Sequence, residues 1–273
     1  MLRLFFIETK KCIGRLRTQL IFFSLFIITI ISYVMSIHSC YGDSLSNMRS
    51  ASELGFIQSV ESRFLYHLLV MIAPLIACLI YSDTYCEDYK TGVYKSILTK
   101  VEKKHYYLSK ALVNFLVTFF VFFIPLIINE ILCLITFPKK GYFNNFGLPS
   151  YDIGYSNFNS DWMLDLLRIK SLFLYSLTYI VIISLFAALF SVLAFSIQLY
   201  YKKNRFAVPA AMFIGYMLLS ILGNVIGVAD ISILHCMQSG VQGKFWSIPP
   251  LQLLLMVVSL LLIFNKSRRE IDI

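Results

Sequence analysis

The sequence predicts an all-α, polytopic membrane protein with six transmembrane helices. Of its 273 residues, 58% are hydrophobic and only 14% are charged, whereas soluble domains carry about 25% charged residues. The apolar residues are concentrated in six runs, and the charged residues lie between these runs. Because lipid offers the backbone no hydrogen-bonding partners, and because no run alternates like a barrel strand, we expect each run to be a helix.

The lengths of the six runs are compatible with membrane-spanning helices, which need about 20 largely apolar residues. The runs cover residues 20–37, 65–81, 112–137, 172–200, 207–228 and 245–264. The second run is short, and the last contains Pro249 and Pro250, which interrupt a regular helix. We therefore expect the regular last helix to begin only at Leu251. The preceding extracellular segment, residues 229–249, is either an ordinary loop or a re-entrant element.

The distribution of basic residues predicts the orientation of these helices. Seventeen of the 24 lysines and arginines lie in residues 1–19, 82–110, 201–206 and 265–273. Since basic loops remain on the cytoplasmic side, we expect a multi-pass protein of the plasma membrane with both termini in the cytoplasm. The net charge of +9 then faces anionic headgroups, so we expect the lipid bilayer, and no nucleic acid, as its partner.

The first 19 residues form an amphipathic segment ahead of the first run. When the segment is drawn as a helix, its apolar side chains fall within an arc of about 120°. They are Leu2, Phe5, Phe6, Cys12, Ile13, Leu16 and Leu20. We expect a helix in the membrane interface, with a bend at Gly14 before the first span. The alternative is a helical extension of that span.

The cytoplasmic loop formed by residues 82–110 is patterned as two short helices. Asp83 and Glu87 are four residues apart, and Glu87 and Lys90 are three apart, so one helical face can carry an ion pair. Gly92 favours a helix end, and Val93 begins the second piece. The alternative is a solvated charged helix that only connects two spans.

Two polar residues inside the third run are candidates for a substrate path. Asn129 and Glu130 lie in an otherwise apolar stretch, where such groups are costly and face the protein interior or water. We expect them to line a transport path together with Asn224 of the fifth run. The alternative is a structural hydrogen bond between helices, with Asn224 as the partner.

Three further features leave alternatives open. Gly223 and Gly227 form a GxxxG pattern, which favours close helix packing within one subunit or at a dimer interface. The extracellular loop of residues 138–170 is long and rich in aromatic residues, which favours a functional element of unassigned role. Cys40 and Cys236 both lie outside in this topology, so a disulfide between them is compatible with the sequence.

Motifs for catalysis by this chain are absent from the sequence. It contains no Walker loop, no HExxH and no GxSxG pattern. The cysteines lack metal-pair spacing, and none of the histidines has a second histidine at helical spacing. We therefore expect a chain without catalytic residues, bound metal or bound cofactor.

The loop of residues 82–110 resembles the corresponding loop of ABC-2 type permeases, the membrane subunits of type V ABC exporters. Members of this family carry acidic residues after the second span, then a glycine, a hydrophobic pair, basic residues, and a lysine at the start of the third span. The matching residues here are Glu87, Asp88, Gly92, Ile97, Leu98, Lys103, Lys104 and Lys110. Val93 replaces the usual threonine, and no proline precedes the basic pair.

The resemblance implies a coupling helix that docks on a separate nucleotide-binding ATPase subunit. Its residues would be Asp83, Glu87, Asp88, Tyr89, Lys90 and Gly92. ATP and Mg would bind to that partner, and the permease would pair with a second permease subunit, identical or related. The size and layout of this chain are similar to those of the small permeases of antimicrobial-peptide exporters, including bacteriocin and lantibiotic exporters.

The function that the resemblance implies is export of a hydrophobic or amphipathic substrate, such as a peptide or a lipid-like compound. The main alternative is a polytopic membrane protein that does not transport and acts as a sensor or assembly partner. An intramembrane enzyme is a third option, which no paired catalytic residues support.

Overall fold

The chain is all-α in a computed structural model that describes residues 2–43, 48–99, 101–139, 160–201, 204–228, 230 and 232–269. Within these ranges no strand is present. The helices are α1 (Leu2–Ile13), α2 (Leu16–Ser39), α3 (Arg63–Tyr81), α4 (Thr84–Lys90), α5 (Val93–Leu98), α6 (Lys103–Thr136), α7 (Asp165–Lys170), α8 (Leu172–Gln198), α9 (Ala207–Ile226), α10 (Ile233–Met237) and α11 (Ile248–Arg269).

Six helices of the described chain are long and apolar enough to cross a membrane, which confirms the predicted fold class. They are α2, α3 with its continuation through α4, α6, α8, α9 and α11. We call the end of the bundle that carries α1, α4 and α5 the amino-terminal end, and the other the opposite end.

Helix α8 is the centre of the bundle. Of its most apolar 18-residue stretch, 83% is buried, against 17% for α9 and 22% for the last span. Small residues such as Ala187, Ser191 and Ala194 let neighbouring helices approach closely. Asn114 of α6 joins the two helices: its side chain donates to the Ser191 carbonyl at 2.8 Å and accepts from the Ser191 hydroxyl at 2.8 Å.

The connection between α2 and α3 is buried although it is not helical. Residues 50–57 are withdrawn from solvent and pack between α2 and α6 at the opposite end. The Ser36 hydroxyl donates to the Leu54 carbonyl at 2.8 Å, and the Ala51 amide donates to the Pro138 carbonyl at 2.9 Å. We call residues 48–62 the buried connection. Irregular backbone is tolerated at such a position because other protein groups satisfy it.

The expectation that the last helix begins only at Leu251 is wrong, since α11 begins at Ile248. Pro249 and Pro250 lie in its first turn, where the missing backbone amides would have no intrahelical acceptor in any case. The preceding segment contains the short helix α10, whose Cys236 and Met237 are fully buried.

The long aromatic loop lies partly outside the described residues, which include 138–139 and 160–170 but not 140–159. Trp162 forms an isolated antiparallel bridge with Gln242. All six cysteines belong to the described chain and are free thiols, so Cys40 and Cys236 are not bonded to each other.

Substitution of Gly55 tests the packing of the buried connection. A β-carbon at Gly55 would collide with the buried Glu130 carboxylate, so we expect Gly55→Ala to lower the free energy of unfolding by about 1–3 kcal/mol. Gly215→Ala is the matched control, because a β-carbon there meets nothing within 4 Å. Denaturant unfolding in detergent micelles measures both. Equal stability of the two variants would contradict this packing.

Candidate functional site

The α4–α5 segment at the amino-terminal end has the two-helix form that the sequence predicts. Helix α4 ends at Lys90, and Gly92 adopts the left-handed conformation, with φ of +75°, before α5 begins. Glycine adopts this conformation without the strain that a β-carbon would cause. The turn at Gly92 therefore separates two short helices.

Asp88 of α4 is the centre of a buried ion network. Its carboxylate, of which 3% is exposed, lies 2.8 Å from the Lys11 amine of α1 and 2.6 Å from the Lys110 amine of α6. The Tyr106 hydroxyl also donates to it, at 2.7 Å. A single side chain of α4 is thus bound to α1 and α6.

Lys110 is completely buried, and a second carboxylate helps to compensate its charge. The Glu8 carboxylate of α1 lies 3.3 Å from the Lys110 amine. Glu8 in turn accepts a hydrogen bond from the Tyr81 hydroxyl. The Tyr106 ring lies 5.2 Å from the amine and adds a cation–π contact.

Arg15, at the bend between α1 and α2, binds the other two acidic residues of the segment. It pairs with Asp83 at 2.7 Å and also with Glu87. Arg17 adds a second pair to Asp83 at 2.7 Å, and Arg205 lies 3.5 Å from Glu87. Arginine suits this role because its planar fork can bind carboxylates through several donors.

The predicted ion pair within α4, between Glu87 and Lys90, does not form. Glu87 is directed to Arg15 and Arg205, whereas Lys90 is exposed at the end of the helix. Basic residues distant in sequence, already positioned by helix packing, replace the local partner. The four acidic residues of the network are all paired with basic side chains. Among the described residues no group of His, Cys, Asp and Glu is arranged to hold a metal.

Tyrosines reinforce the network on its α6 side. Tyr85, Tyr94, Tyr106 and Tyr107 are buried together, and the hydroxyls of Tyr94 and Tyr107 are 2.9 Å apart. The opposite surface of the segment is exposed: Tyr89 and Val93 retain 47% and 45% of their accessible surface. We call the exposed residues 89–93 the exposed tip.

Sequence reasoning identified the acidic residues of α4 but not their partners. The available signal in the sequence was Glu8, because it is the one acidic residue of the mostly apolar and basic helix α1. Cys12, a member of the predicted apolar arc, is fully buried together with Glu8, while Phe6 and Ile13 are exposed. The apolar arc of α1 is therefore divided between the bundle and its surroundings.

Asn129 is engaged in structural hydrogen bonds at the opposite end. Its side chain donates to the Thr29 carbonyl of α2 at 2.7 Å and accepts from the Phe56 amide at 2.8 Å. Glu130 is buried beside it, next to Ser52 and Gly55. The pair thus holds the buried connection between α2 and α6.

Asn224 is not brought to these residues, since it is exposed near the end of α9. Gly227 lies just beyond that helix in the left-handed conformation, with φ of +76°, so it terminates α9. Gly223 approaches the backbone of Val228 and the side chain of Ser232 in the same chain. The GxxxG pattern therefore does not form one continuous helical face.

Two acidic residues belong to the buried connection, and of these Glu53 is buried whereas Glu61 is exposed. One of the Glu53 oxygens accepts hydrogen bonds from the Ser50 amide and hydroxyl, at 2.8 and 2.6 Å. Burial raises the pKa of the Glu53 carboxyl above its ordinary value, although the Ser50 hydrogen bonds and then Arg49 and Arg168 act in the other direction. The neutral form is therefore favoured on folding.

Comparison with known proteins identifies a relative without an assigned function. The chain is 28% identical over 160 residues to an uncharacterised protein, YybM, of Bacillus subtilis (strain 168). The alignment covers 56% of this chain and 57% of the relative, so the chain matches little more than half of that protein. No family model and no solved structure matches the chain. This degree of similarity does not assign the chain to a family.

The buried network predicts a strong effect of removing one partner. We expect Asp88→Leu to lower the free energy of unfolding by about 3–5 kcal/mol, because it leaves Lys110 buried with Glu8 alone. Asp88→Leu combined with Lys110→Met should cost less than the sum of the single variants. Unfolding in mixed detergent micelles measures these values. Glu102→Gln, which removes an exposed pair with His105, is the control and should have no measurable effect. If the losses of unfolding free energy in the two single variants simply add in the double variant, the coupling between Asp88 and Lys110 is contradicted.

Glu53 predicts a pH dependence of stability. A carboxyl whose pKa is higher in the folded state contributes stability at low pH, and this contribution is lost as the pH rises through the raised pKa. We therefore expect the Tm of the wild type, relative to that of Glu53→Gln, to fall as the pH is raised above the ordinary glutamate pKa. Thermal unfolding between about pH 4 and about pH 8, which extends upward from the ordinary glutamate pKa, measures the difference. Glu61→Gln, at an exposed position of the same connection, is the control. Parallel Tm curves for wild type and Glu53→Gln would contradict the prediction.

Proposed function

We propose that this chain is the membrane-spanning permease subunit of an ATP-driven exporter. The observation that carries the proposal is the attachment of α4 to α1 and α6 by the buried ion network around Asp88 and Lys110. A loop that only connected two spans would not need six acidic–basic contacts to fix its orientation. Such a device is suited to receive force from a partner and to transmit it to the spans.

The network divides the residues of the segment between two roles. Asp83, Glu87 and Asp88 point into the bundle and attach the segment to it. Tyr89, Lys90 and Gly92, together with Val93, form the exposed tip. The tip would contact a nucleotide-binding ATPase subunit, which would itself bind ATP and Mg.

Rigid attachment explains how the partner would change the membrane domain. Closure of the ATPase pair would displace the tip, and α4 would carry α1 and α6 with it because their contacts are buried and charged. Alternating access needs only two states that differ by a few kcal/mol, of which ATP binding favours one. The concentration of basic residues at this end supports a cytoplasmic position for the tip.

The spans favour a hydrophobic or amphipathic substrate. Helices α9 and α11 have low burial within one chain, and their exposed residues are mostly apolar. In the proposal, these helices face lipid or a second permease subunit, identical or related, and the substrate passes between the subunits. Peptides and lipid-like compounds belong to this class.

The direct test is purification of the tagged chain from native membranes, followed by identification of bound proteins. We expect an ATPase with a Walker loop to copurify, and ATP hydrolysis by the complex to exceed that of the ATPase alone. Recovery of a kinase or an assembly factor in place of an ATPase would favour the sensor or assembly alternative and contradict the exporter.

The exposed tip gives a matched pair of variants for the same complex. We expect Val93→Asp to reduce recovery of the ATPase about tenfold or more, because it places a charge in a largely apolar contact. Tyr201→Asp introduces the same charge at another exposed position, 43% accessible, and should leave recovery unchanged. Quantitative mass spectrometry of the purified complexes measures recovery. Equal recovery with both variants would exclude the tip as the docking surface.

A further inference from the structure

A cavity of about 230 Å³ opens at the opposite end of the bundle, away from the ion network. Four separate segments form its wall: the buried connection, the start of α3, the region from Trp162 to Tyr175, and residues 239–240. Nothing in the proposed coupling role requires this cavity.

Three arginines line the cavity, and two of them have no ion-paired or hydrogen-bonded side-chain partner among the described residues. Arg168 is bound to the buried Asp165, with the two side chains 2.6 Å apart. Neither Arg49 nor Arg63 forms a salt bridge or a side-chain hydrogen bond within the part of the chain that the structure describes. Two unpaired guanidinium groups on one concave surface favour an anion that accepts several hydrogen bonds.

The acidic residue of the lining does not cancel this charge. One oxygen of Glu53 is occupied by the Ser50 amide and hydroxyl, and 5% of the residue is exposed. Even an ionised Glu53 supplies one negative charge, against the two positive charges of Arg49 and Arg63. The cavity therefore presents a net positive charge.

Tyrosines hold the floor of the cavity in a fixed shape. The Tyr66 hydroxyl donates to the Met237 carbonyl at 2.8 Å and accepts from the Ser239 amide at 2.9 Å. The Tyr175 hydroxyl accepts from the Gly240 amide at 2.9 Å. The site is thus organised before any ligand binds, which lowers the entropic cost of binding.

The surroundings of Arg63 indicate an amphipathic ligand. Arg63 is the first residue of α3, so it lies at the end of a span, where lipid headgroups are expected. Val60 and Phe64 flank it with 54% and 74% of their surface exposed. The cavity is smaller than the range of about 300–1,000 Å³ typical of sites for whole drug-sized ligands, so it suits a headgroup whose chains remain outside.

We propose that this cavity binds the phosphate of an anionic phospholipid headgroup, with Arg49 and Arg63 as its direct ligands. Trp162 borders the headgroup, and the acyl chains lie along Val60 and Phe64 on the lipid side. The lipid bridges the buried connection and the start of α3. This assignment goes beyond the exporter proposal and holds whether or not an ATPase binds at the other end.

The test uses the full chain in detergent, titrated with dioctanoyl phosphatidylglycerol and, separately, dioctanoyl phosphatidylcholine, with bound lipid counted by native mass spectrometry. We expect the wild type to bind one phosphatidylglycerol at least about tenfold more tightly than phosphatidylcholine. Arg49→Gln combined with Arg63→Gln should weaken phosphatidylglycerol binding at least about tenfold and leave phosphatidylcholine binding unchanged.

Matched controls separate a site from general charge attraction. Lys170→Gln combined with Lys244→Gln removes two exposed basic residues outside the lining and should not alter lipid binding. If the arginine-to-glutamine variant does not fold, Arg49→Lys with Arg63→Lys replaces it and should also weaken binding, because lysine lacks the bidentate fork.

Three results would overturn the proposal. One is equal affinity of the wild type for the two lipids. Another is a loss of phosphatidylglycerol binding in the Lys170→Gln, Lys244→Gln variant as large as that in the Arg49→Gln, Arg63→Gln variant. The third is displacement of the lipid by inorganic phosphate at equal concentration, which would identify a free-anion site instead. Failure of ATPase copurification would leave these outcomes unaffected, so the two proposals are tested separately.

Discussion

The contact between Asp88 and the fully buried Lys110 constrains the amino-terminal end of the bundle. An ammonium group without solvent is tolerated only when opposite charge surrounds it, and here Asp88 and Glu8 provide that charge. Because the two carboxylates belong to different short helices, neither α1 nor α4 can leave its place without exposing or isolating a charge. The pair is therefore a constraint on geometry more than a source of net stability.

Buried polar groups have different roles at the two ends of the molecule. At the amino-terminal end, ion pairs hold the short helices α1 and α4 against the bundle. At the opposite end, Asn129 uses neutral hydrogen bonds to satisfy the irregular backbone of the buried connection. Both arrangements concentrate polar residues on α6, which thereby links the two ends of the bundle through a continuous helix of 34 residues.

Much of the fold follows from local sequence, and much of the site does not. Apolar runs are sufficient to locate the six spans, and glycines locate the bend at Gly14 and the turn at Gly92. The prediction for α11 failed because proline was treated as a helix breaker, although the first turn of a helix accepts it. The partners of Asp88 and Glu87 depend on which helices meet in space, so the local spacing to Lys90 gave the wrong pair.

The central position of α8 has a consequence for biogenesis. Asn114 finds its partner, Ser191, 77 residues later in the chain. If spans enter the membrane in the order of synthesis, α2, α3 and α6 are inserted before α8, and the amide of Asn114 then lies in a partly assembled bundle without its final acceptor. Until α8 is inserted, another group, such as water, a lipid headgroup or an earlier span, has to satisfy this amide.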